Sequence, residues 1–510
     1  MKPVSKPLAA ALTAGLLIAI HAGFPYAAPL ALLPLLWALD EAPAFRTGWL
    51  AGILQWAGLC YWIQGTLARH GGLDPWLAWL ALILFSLAKG LHTAAFAWLA
   101  KPLLNKIWGP PAIAALWAGL ESTHGAFGFA WLTLGNAAID SPYLARLAPF
   151  TGVYGLSFLF ALTAAALLAA RHNRRALAWL ALWALPLTLP PLQEHHATQQ
   201  AIAVQPNFNE SDPPRDPYFS LFDLTGQALK NAKPQAILWP EVPVGIYYDT
   251  DLAFRRSANR LAHDAQTTLI IGTVAFAQPG APRNSAQYIN PSGEPMQRYD
   301  KVNLVPFGEY VPWPFATLVD KVSTEAGTFT PGDHPVVQNG WGTFICYESA
   351  FPNFVRQFTA QGAQVLVNLT NDGYFARSAA RQQHVSLARM RAVENGRWLL
   401  RVTNDGYTMS ISPTGRIAAQ AAPYEPSATL LPFAYEKDLT PYIRYGDWFA
   451  WFCLVTGLAA GGLLIGQQEY GDGADGGEQE DELQCGGVAA LFLHLRDDPG
   501  EPGLADGVGG

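Results

Sequence analysis

From about residue 8 to residue 192 apolar side chains run in long blocks separated by short polar or Gly/Pro-rich joints. The blocks fall near 8–22, 26–39, 48–66, 76–98, 110–138, 152–170 and 176–191, and each predicts a helix with no polar face. Seven such blocks in succession read as membrane spans rather than as core helices of a soluble domain. The first two are short, and Lys2 and Lys6 precede the first in the manner of a secretory signal. Because five more blocks follow, the first two read as a signal-anchor or helical hairpin that stays in the protein.

Near residue 195 the pattern changes. Short β-branched and aromatic runs appear at Ala201–Val204, Ala236–Trp239, Thr268–Phe276, Ala286–Asn290, Thr343–Cys346, Val365–Leu369, Trp398–Thr403 and Met409–Ser412. Helical patterns lie near 219–232, 251–265, 350–361 and 378–396. Several strand-like runs end in turn chemistry, such as Asn290-Pro291-Ser292-Gly293 and Ser412-Pro413-Thr414-Gly415. Alternation of this kind predicts one sizeable α/β domain with buried strands. A last apolar run, 448–465, is long enough for an eighth span, and 467–510 is acidic, Gly-rich and poor in aromatics, as disordered tails are. The expected organisation is a transmembrane domain over 1–194, an α/β domain over 195–440, a C-terminal span within 441–466 and the tail 467–510.

Composition agrees with two unlike parts. Of 510 residues 51% are hydrophobic and 14% charged, too apolar for an ordinary soluble enzyme. The net charge of −7 and the lack of a basic run exclude nucleic acid as the expected partner. With the N-terminus in the cytoplasm, the joints on that side carry Lys2, Lys6, Arg46, Lys101, Lys106, Arg171, Arg174 and Arg175, against Arg69 and Arg146 opposite. Seven spans then place the α/β domain outside the cytoplasm. Cys60, Cys346, Cys453 and Cys485 show neither CxxC nor Cys/His spacing, so neither a metal site nor a disulfide framework is indicated.

Candidate chemistry begins with Trp341-Gly342-Thr343-Phe344-Ile345-Cys346-Tyr347-Glu348-Ser349, read as a buried strand that delivers a thiol to the lip of a sheet. A thiol attacks as thiolate and needs a base or a neighbouring cation. Glu241, after the apolar strand end Trp239-Pro240, can be the base, since an apolar setting raises a carboxylate towards the working range. Lys301, in Tyr299-Asp300-Lys301, can be the cation that holds a thiolate and later an oxyanion. Each alone has a plainer reading: a packed thiol, a solvated glutamate, a surface lysine.

Together, in the order Glu241, Lys301, Cys346, the three resemble the Glu-Lys-Cys triad of the carbon–nitrogen hydrolase (nitrilase) superfamily. With seven apolar blocks before the triad and one after, the chain to about residue 466 resembles the apolipoprotein N-acyltransferase family of bacterial membrane enzymes. Pro306-Phe307-Gly308-Glu309-Tyr310-Val311-Pro312 and Asn368-Leu369-Thr370-Asn371-Asp372-Gly373-Tyr374-Phe375 fit that family too. The resemblance implies a polytopic α-helical membrane domain joined to a four-layer α-β-β-α sandwich in the inner membrane, facing the periplasm. It implies acyl transfer from a phospholipid, through a thioester on Cys346, to the N-terminal amine of a diacylglyceryl apolipoprotein, with no metal or organic cofactor and as a monomer. Glu309 would assist the base or position the lysine, and Tyr347 and Glu348 would shape the site behind the nucleophile. The alternative is a membrane-anchored amidase in which water resolves the thioester.

Two stretches depart from the family pattern. Val204-Gln205-Pro206-Asn207 lacks the expected glycine, which leaves the substrate contacts near 206–220 open. Glu121-Ser122-Thr123-His124 has histidine where arginine is usual, and Phe129-Ala130-Trp131 stands in place of an aromatic-Pro-Trp turn. Glu121 is a candidate anchor for the domain or a lipid headgroup. The apolar loop 311–319 either dips into the membrane interface or packs on the domain. His384 and Arg381 read as structural or loop-anchoring residues, and Cys60 and Cys453 as packing residues.

Overall fold

The apolar blocks of the first 190 residues become helices, most of them shorter than the blocks. The computed structural model describes residues 5–126, 129–208, 217–242, 245–311 and 329–474. Lys6–Ala19, Ala44–Leu59, Trp62–Arg69, Pro75–Ala100, Gly109–Ser122 and Val153–Ala169 are α-helical. Block 26–39 divides into a 3₁₀ turn, Pro25–Leu30, and a short helix, Leu33–Ala38, where prolines withhold backbone donors. Block 176–191 is a 3₁₀ stretch, Arg174–Ala184, followed by one α turn, Leu185–Thr188. Block 110–138 is not one span: the α-helix stops at Ser122, Trp131 lies on irregular chain, and a 3₁₀ turn forms at Leu134–Ala138.

Among the described residues two helices are long and apolar enough to cross a membrane, Pro75–Leu103 and Trp448–Gln467. The first exposes Trp76, Trp79, Ile83 and Leu84, and the second exposes Trp451, Phe452, Val455 and Leu463. Such contiguous apolar faces are costly in water and suited to lipid. Ala44–Leu59 and Pro75–Ala100 touch through small residues: a Cβ on Gly52 would lie 2.7 Å from the Cα of Gly90. Close backbone contact of this kind is how helices associate where no hydrophobic drive separates them from lipid. By its contacts the chain divides into Met1–Ile465 and Gly466–Gly510, and of the second only 466–474, the end of helix Trp448–Ala474, is described. The rest of the expected tail and positions 312–319 of the loop lie outside the described residues, as do 209–216 of the region left open.

The α/β part follows the predicted strands closely. In chain order they are β1 (Gln199–Gln205), β2 (Ala236–Leu238), β3 (Thr268–Gln278), β4 (Ala281–Ile289), β5 (Tyr299–Asp300), β6 (Val337–Gln338), β7 (Trp341–Ile345), β8 (Val365–Thr370), β9 (Leu399–Thr403), β10 (Met409–Ile411), β11 (Ile417–Gln420) and β12 (Ser427–Phe433). Among the described residues they form two six-stranded mixed sheets, ordered β12-β1-β2-β3-β4-β5 and β11-β10-β9-β8-β7-β6. Each sheet has a parallel core, β1-β2-β3 in one and β7-β8-β9 in the other, with antiparallel strands outside it. Helices Pro217–Leu229 and Leu252–Ala265 make the crossovers of the first core, Pro352–Ala360 and Ala380–Asn395 those of the second.

The period-2 alternation of a strand sorts the side chains of the first sheet. Ile202, Val204, Ile237, Leu269 and Ile271 join Leu221, Phe254 and Ala258 of the crossover helices in one buried cluster. Ala201, Ala203, Leu238, Ile270 and Tyr288 point the other way and join Phe344 and Leu366 of the second sheet. Tyr288 on β4 donates its hydroxyl to Thr343 Oγ1 on β7 at 2.7 Å, a polar contact between the sheets that leaves neither oxygen unpaired. The sheets therefore meet face to face, and strand ends of both arrive at the same place.

Candidate active site

Glu241 follows β2 after Trp239-Pro240, and its loop lies directly on β3 because Gly272 has no side chain: a Cβ there would fall 2.2 Å from the carbonyl oxygen of Pro240. Lys301 follows β5, at the edge of the same sheet. Cys346 comes from the other sheet, immediately after β7. It is not on the strand, as the sequence suggested, but is the first residue of a 3₁₀ turn, Cys346–Ala350, with φ of +51°. A non-glycine residue in the left-handed region costs on the order of 1–3 kcal/mol and persists where the surroundings hold it. The turn lifts the cysteine off the line of the strand.

The three side chains are brought together and buried, Lys301 at 1% exposure and Glu241 and Cys346 at 5%. Lys301 Nζ donates to Glu241 Oε1 at 3.2 Å and lies 2.9 Å from Glu309 Oε2. Burial alone would lower the lysine, but the carboxylates of Glu241 and Glu309 hold its pKa well above the usual value. Burial pushes the Cys346 thiol up, the charge of Glu241 adds to that, and Lys301 opposes it. Burial and the Glu241 charge thus favour the protonated thiol at Cys346, and Lys301 favours the thiolate.

Glu241 does not sit in the apolar setting that Trp239-Pro240 led us to expect. Its Oε1 accepts from Asn284 Nδ2 at 2.7 Å as well as from Lys301, and its Oε2 accepts from the backbone N–H of Asn371 at 2.8 Å. Glu309 shares the Asn284 donor at 2.7 Å and accepts from Val305 N–H at 2.8 Å, so it holds both the lysine and the loop that follows it.

Glu348 is fully buried and accepts from both sides of the domain. Tyr299 Oη, Val302 N–H and Asn303 N–H reach it from around Lys301, and Ile345 N–H reaches it from the residue before Cys346, all at 2.7–3.0 Å. It stitches the lysine segment to the cysteine turn. Burial raises its carboxyl to about 7, against the pull of those donors. Tyr347 turns the opposite way: its hydroxyl accepts from Ala130 N–H at 2.9 Å and its ring stacks on Phe129 and Trp131 of the helical part.

Sequence reasoning missed several contributors. Asn284 and the Asn371 amide hold Glu241, and nothing marked them beyond their place on a strand and in a polar loop. His384, expected to be structural, contacts the carbonyl of Cys346, while Asp372 and Arg401 contact His384. Gln383 Oε1 accepts from Trp62 Nε1 at 3.2 Å and Trp131 Nε1 at 2.8 Å, tying the helical part to the helix that carries His384. Arg381 is an anchor, paired with Asp405. Glu121 Oε1 accepts from Leu134 N–H at 2.7 Å, so it fastens the 3₁₀ turn within the helical part. Cys60 and Cys453 are buried among apolar neighbours. Among the described residues no group of three His, Cys, Asp or Glu side chains is arranged to hold a metal ion.

Both halves of the chain match known families. Residues 198–431 match carbon-nitrogen hydrolase, and residues 13–166 match the apolipoprotein N-acyltransferase N-terminal domain. The apolipoprotein N-acyltransferase of Geobacter metallireducens is 30% identical over 493 residues, covering 89% of this chain and 94% of its own. That of Azotobacter vinelandii is 35% identical, covering 86% and 90%. That of Pseudomonas syringae pv. tomato is 32% identical, covering 82% and 88%. Among solved structures, an amidase from Nesterenkonia sp. is 21% identical with a TM-score of 0.36, over 48% of this chain and 93% of that one. Since the relatives are matched through the helical part and the α/β part alike, the chain belongs to the apolipoprotein N-acyltransferase family.

Proposed function

We propose that the protein moves an acyl chain from a membrane phospholipid to the N-terminal amine of a diacylglyceryl-cysteine lipoprotein, by way of a thioester on Cys346. The observation that carries the reading is the buried set Cys346, Lys301, Glu241 and Glu309, joined through Tyr347 to a helical part with exposed apolar faces. In the first step Sγ attacks the ester carbonyl while Glu241 takes its proton, and Lys301 stabilises the oxyanion that forms. The intermediate collapses, the lysophospholipid oxygen leaves with the proton from Glu241, and the thioester remains. In the second step the lipoprotein amine attacks the thioester, gives a proton to Glu241, and the thiol is restored as that proton returns. A site closed to water lets an amine compete for the acyl group.

The same reading takes Glu309, Tyr347 and Glu348 as supporting residues, and the α/β part as a four-layer α-β-β-α sandwich. It assigns 1–194 to a multi-pass membrane domain, 195–440 to the catalytic domain on the periplasmic side of the inner membrane, 441–466 to a last span and 467–510 to a tail, in a monomer. Intact mass spectrometry after incubation with phospholipid tests it. An added acyl mass is expected that neutral hydroxylamine removes and that Cys346→Ala never acquires. A folded protein that acquires no such mass refutes the thioester. Release of free acid in place of transfer to an apolipoprotein makes water the acceptor, as in an amidase.

A further inference from the structure

His384 is fully buried on helix Ala380–Asn395 and points at the nucleophile's own peptide: Nε2 lies 3.0 Å from the carbonyl oxygen of Cys346. A carbonyl only accepts, so Nε2 carries a proton and donates it. The other ring nitrogen, Nδ1, lies 3.1 Å from Asp372 Oδ1 and 3.0 Å from Arg401 Nη2, and Arg401 also donates to both Asp372 oxygens at 2.9 Å. Asp372 and Arg401 are themselves fully buried, so the imidazole is fixed on both edges. The group it holds is the residue in the left-handed conformation, which has no glycine to favour it.

We propose that His384 is a positioning residue for acyl transfer: its Nε2–H bond to the Cys346 carbonyl, braced by Asp372 and Arg401, keeps the cysteine in the left-handed turn from which Sγ meets Glu241 and Lys301. The reading rests on Cys346 being the nucleophile proposed above. The polar contacts of the His384 ring are the Cys346 carbonyl, Asp372 and Arg401, not the Cys346 sulfur. Without the bond the peptide is free to relax towards the extended strand that precedes it, and the thiol moves out of reach of its base. Gln383, the neighbouring residue, receives the two tryptophans of the helical part, so the helix that holds the nucleophile is itself held by the membrane-facing half.

The test uses the full-length protein in detergent with His384→Ala and His384→Gln, the latter keeping a donor long enough to reach the carbonyl. The readouts are alkylation of Cys346 by iodoacetamide, followed by mass spectrometry of its peptide, and kcat and KM for acyl transfer. We expect His384→Ala to lower both the alkylation rate and kcat by roughly 100-fold with KM little changed, as for a misplaced reacting group. His384→Gln should recover much of both. Alkylation within threefold of the parent in a folded His384→Ala protein overturns the proposal, as does a folded His384→Gln no better than alanine. Because alkylation needs neither lipid nor lipoprotein, failure of the acyl-transfer reading leaves this readout intact.

Discussion

Lys301 and Lys89 are both lysine amines withdrawn from water, at 1% and 4% exposure, and their surroundings compensate them differently. Lys301 faces two carboxylates, Glu241 and Glu309. Lys89, on the helix Pro75–Ala100, meets His124 Nδ1 at 2.9 Å, the carbonyl of Phe129 at 3.0 Å and the ring of Trp56 at 4.9 Å. Among the described residues no carboxylate pairs with it. One lysine is kept as a charge and the other as a tie. The counter-charges of Lys301 hold it in place, as the proposed oxyanion role requires, whereas Lys89 fixes the 129–131 loop, whose Ala130 and Trp131 reach Tyr347 and Gln383.

The largest effect should follow from Lys301→Met, which leaves two buried carboxylates facing each other. Acyl transfer should fall by about 10³-fold or more, and the lost pairing should cost about 3–5 kcal/mol of stability in chemical denaturation. Glu241→Gln comes next: the amide oxygen can still accept from Asn371, but the amide NH2 then faces the donors Lys301 Nζ and Asn284 Nδ2, so kcat should drop by about 10²–10⁴-fold and the melting temperature should fall as well.

Asp372→Asn should act on stability in a pH-dependent way. Arg401, with the His384 contact, holds the Asp372 carboxyl down to about 2 despite its burial. A group depressed in the folded state contributes stability that is present above its ordinary value and is lost as pH falls through the folded one. That contribution is roughly 2 kcal/mol at about 1.4 kcal/mol per pKa unit, and denaturation at pH 4 and pH 2 should show it in the parent and not in Asp372→Asn. The smallest effect on activity belongs to Lys89→Met, which touches none of the site's carboxylates or its thiol, although leaving the Phe129 carbonyl and His124 without their donor should cost about 1–3 kcal/mol in chemical denaturation. Initial rates should stay within about threefold of the parent. Loss of activity as deep as that of Lys301→Met would erase the distinction between the two lysines.

What could be read in the sequence follows from where the signal is local. Strands such as Thr268–Gln278 and Val365–Thr370 are continuous buried runs, and buried parallel strands show themselves that way. Glu241 and Cys346 each follow such a run, so their motifs survive in the linear order, whereas Lys301 follows only the two-residue strand Tyr299–Asp300. Ser427–Phe433 escaped notice because an edge strand needs neither full burial nor a free N–H at every position, and Pro432 sits in it. The left-handed turn at Cys346 was invisible because left-handed residues are sought at glycine or asparagine. Glu348 lies two residues after Cys346, yet the segment it holds is 45 or 46 residues away, and no pattern announces that. The break at Ser122 was masked because the residues after it, including Phe129 and Trp131, are as apolar as a helix while serving as a strap between the two halves.

The pairing of β1 with β12 bears on how the protein is made. Gln199–Gln205 pairs with β2 on one side and on the other finds its neighbour in Ser427–Phe433, so that edge of the first sheet stays open until nearly the whole domain has left the ribosome. Lys301 and Cys346 likewise belong to different sheets and meet only when both are assembled. A nascent chain halted between Cys346 and the last strand carries the thiol while that edge is still open. The first sheet is therefore completed by the last strand of the domain to be made.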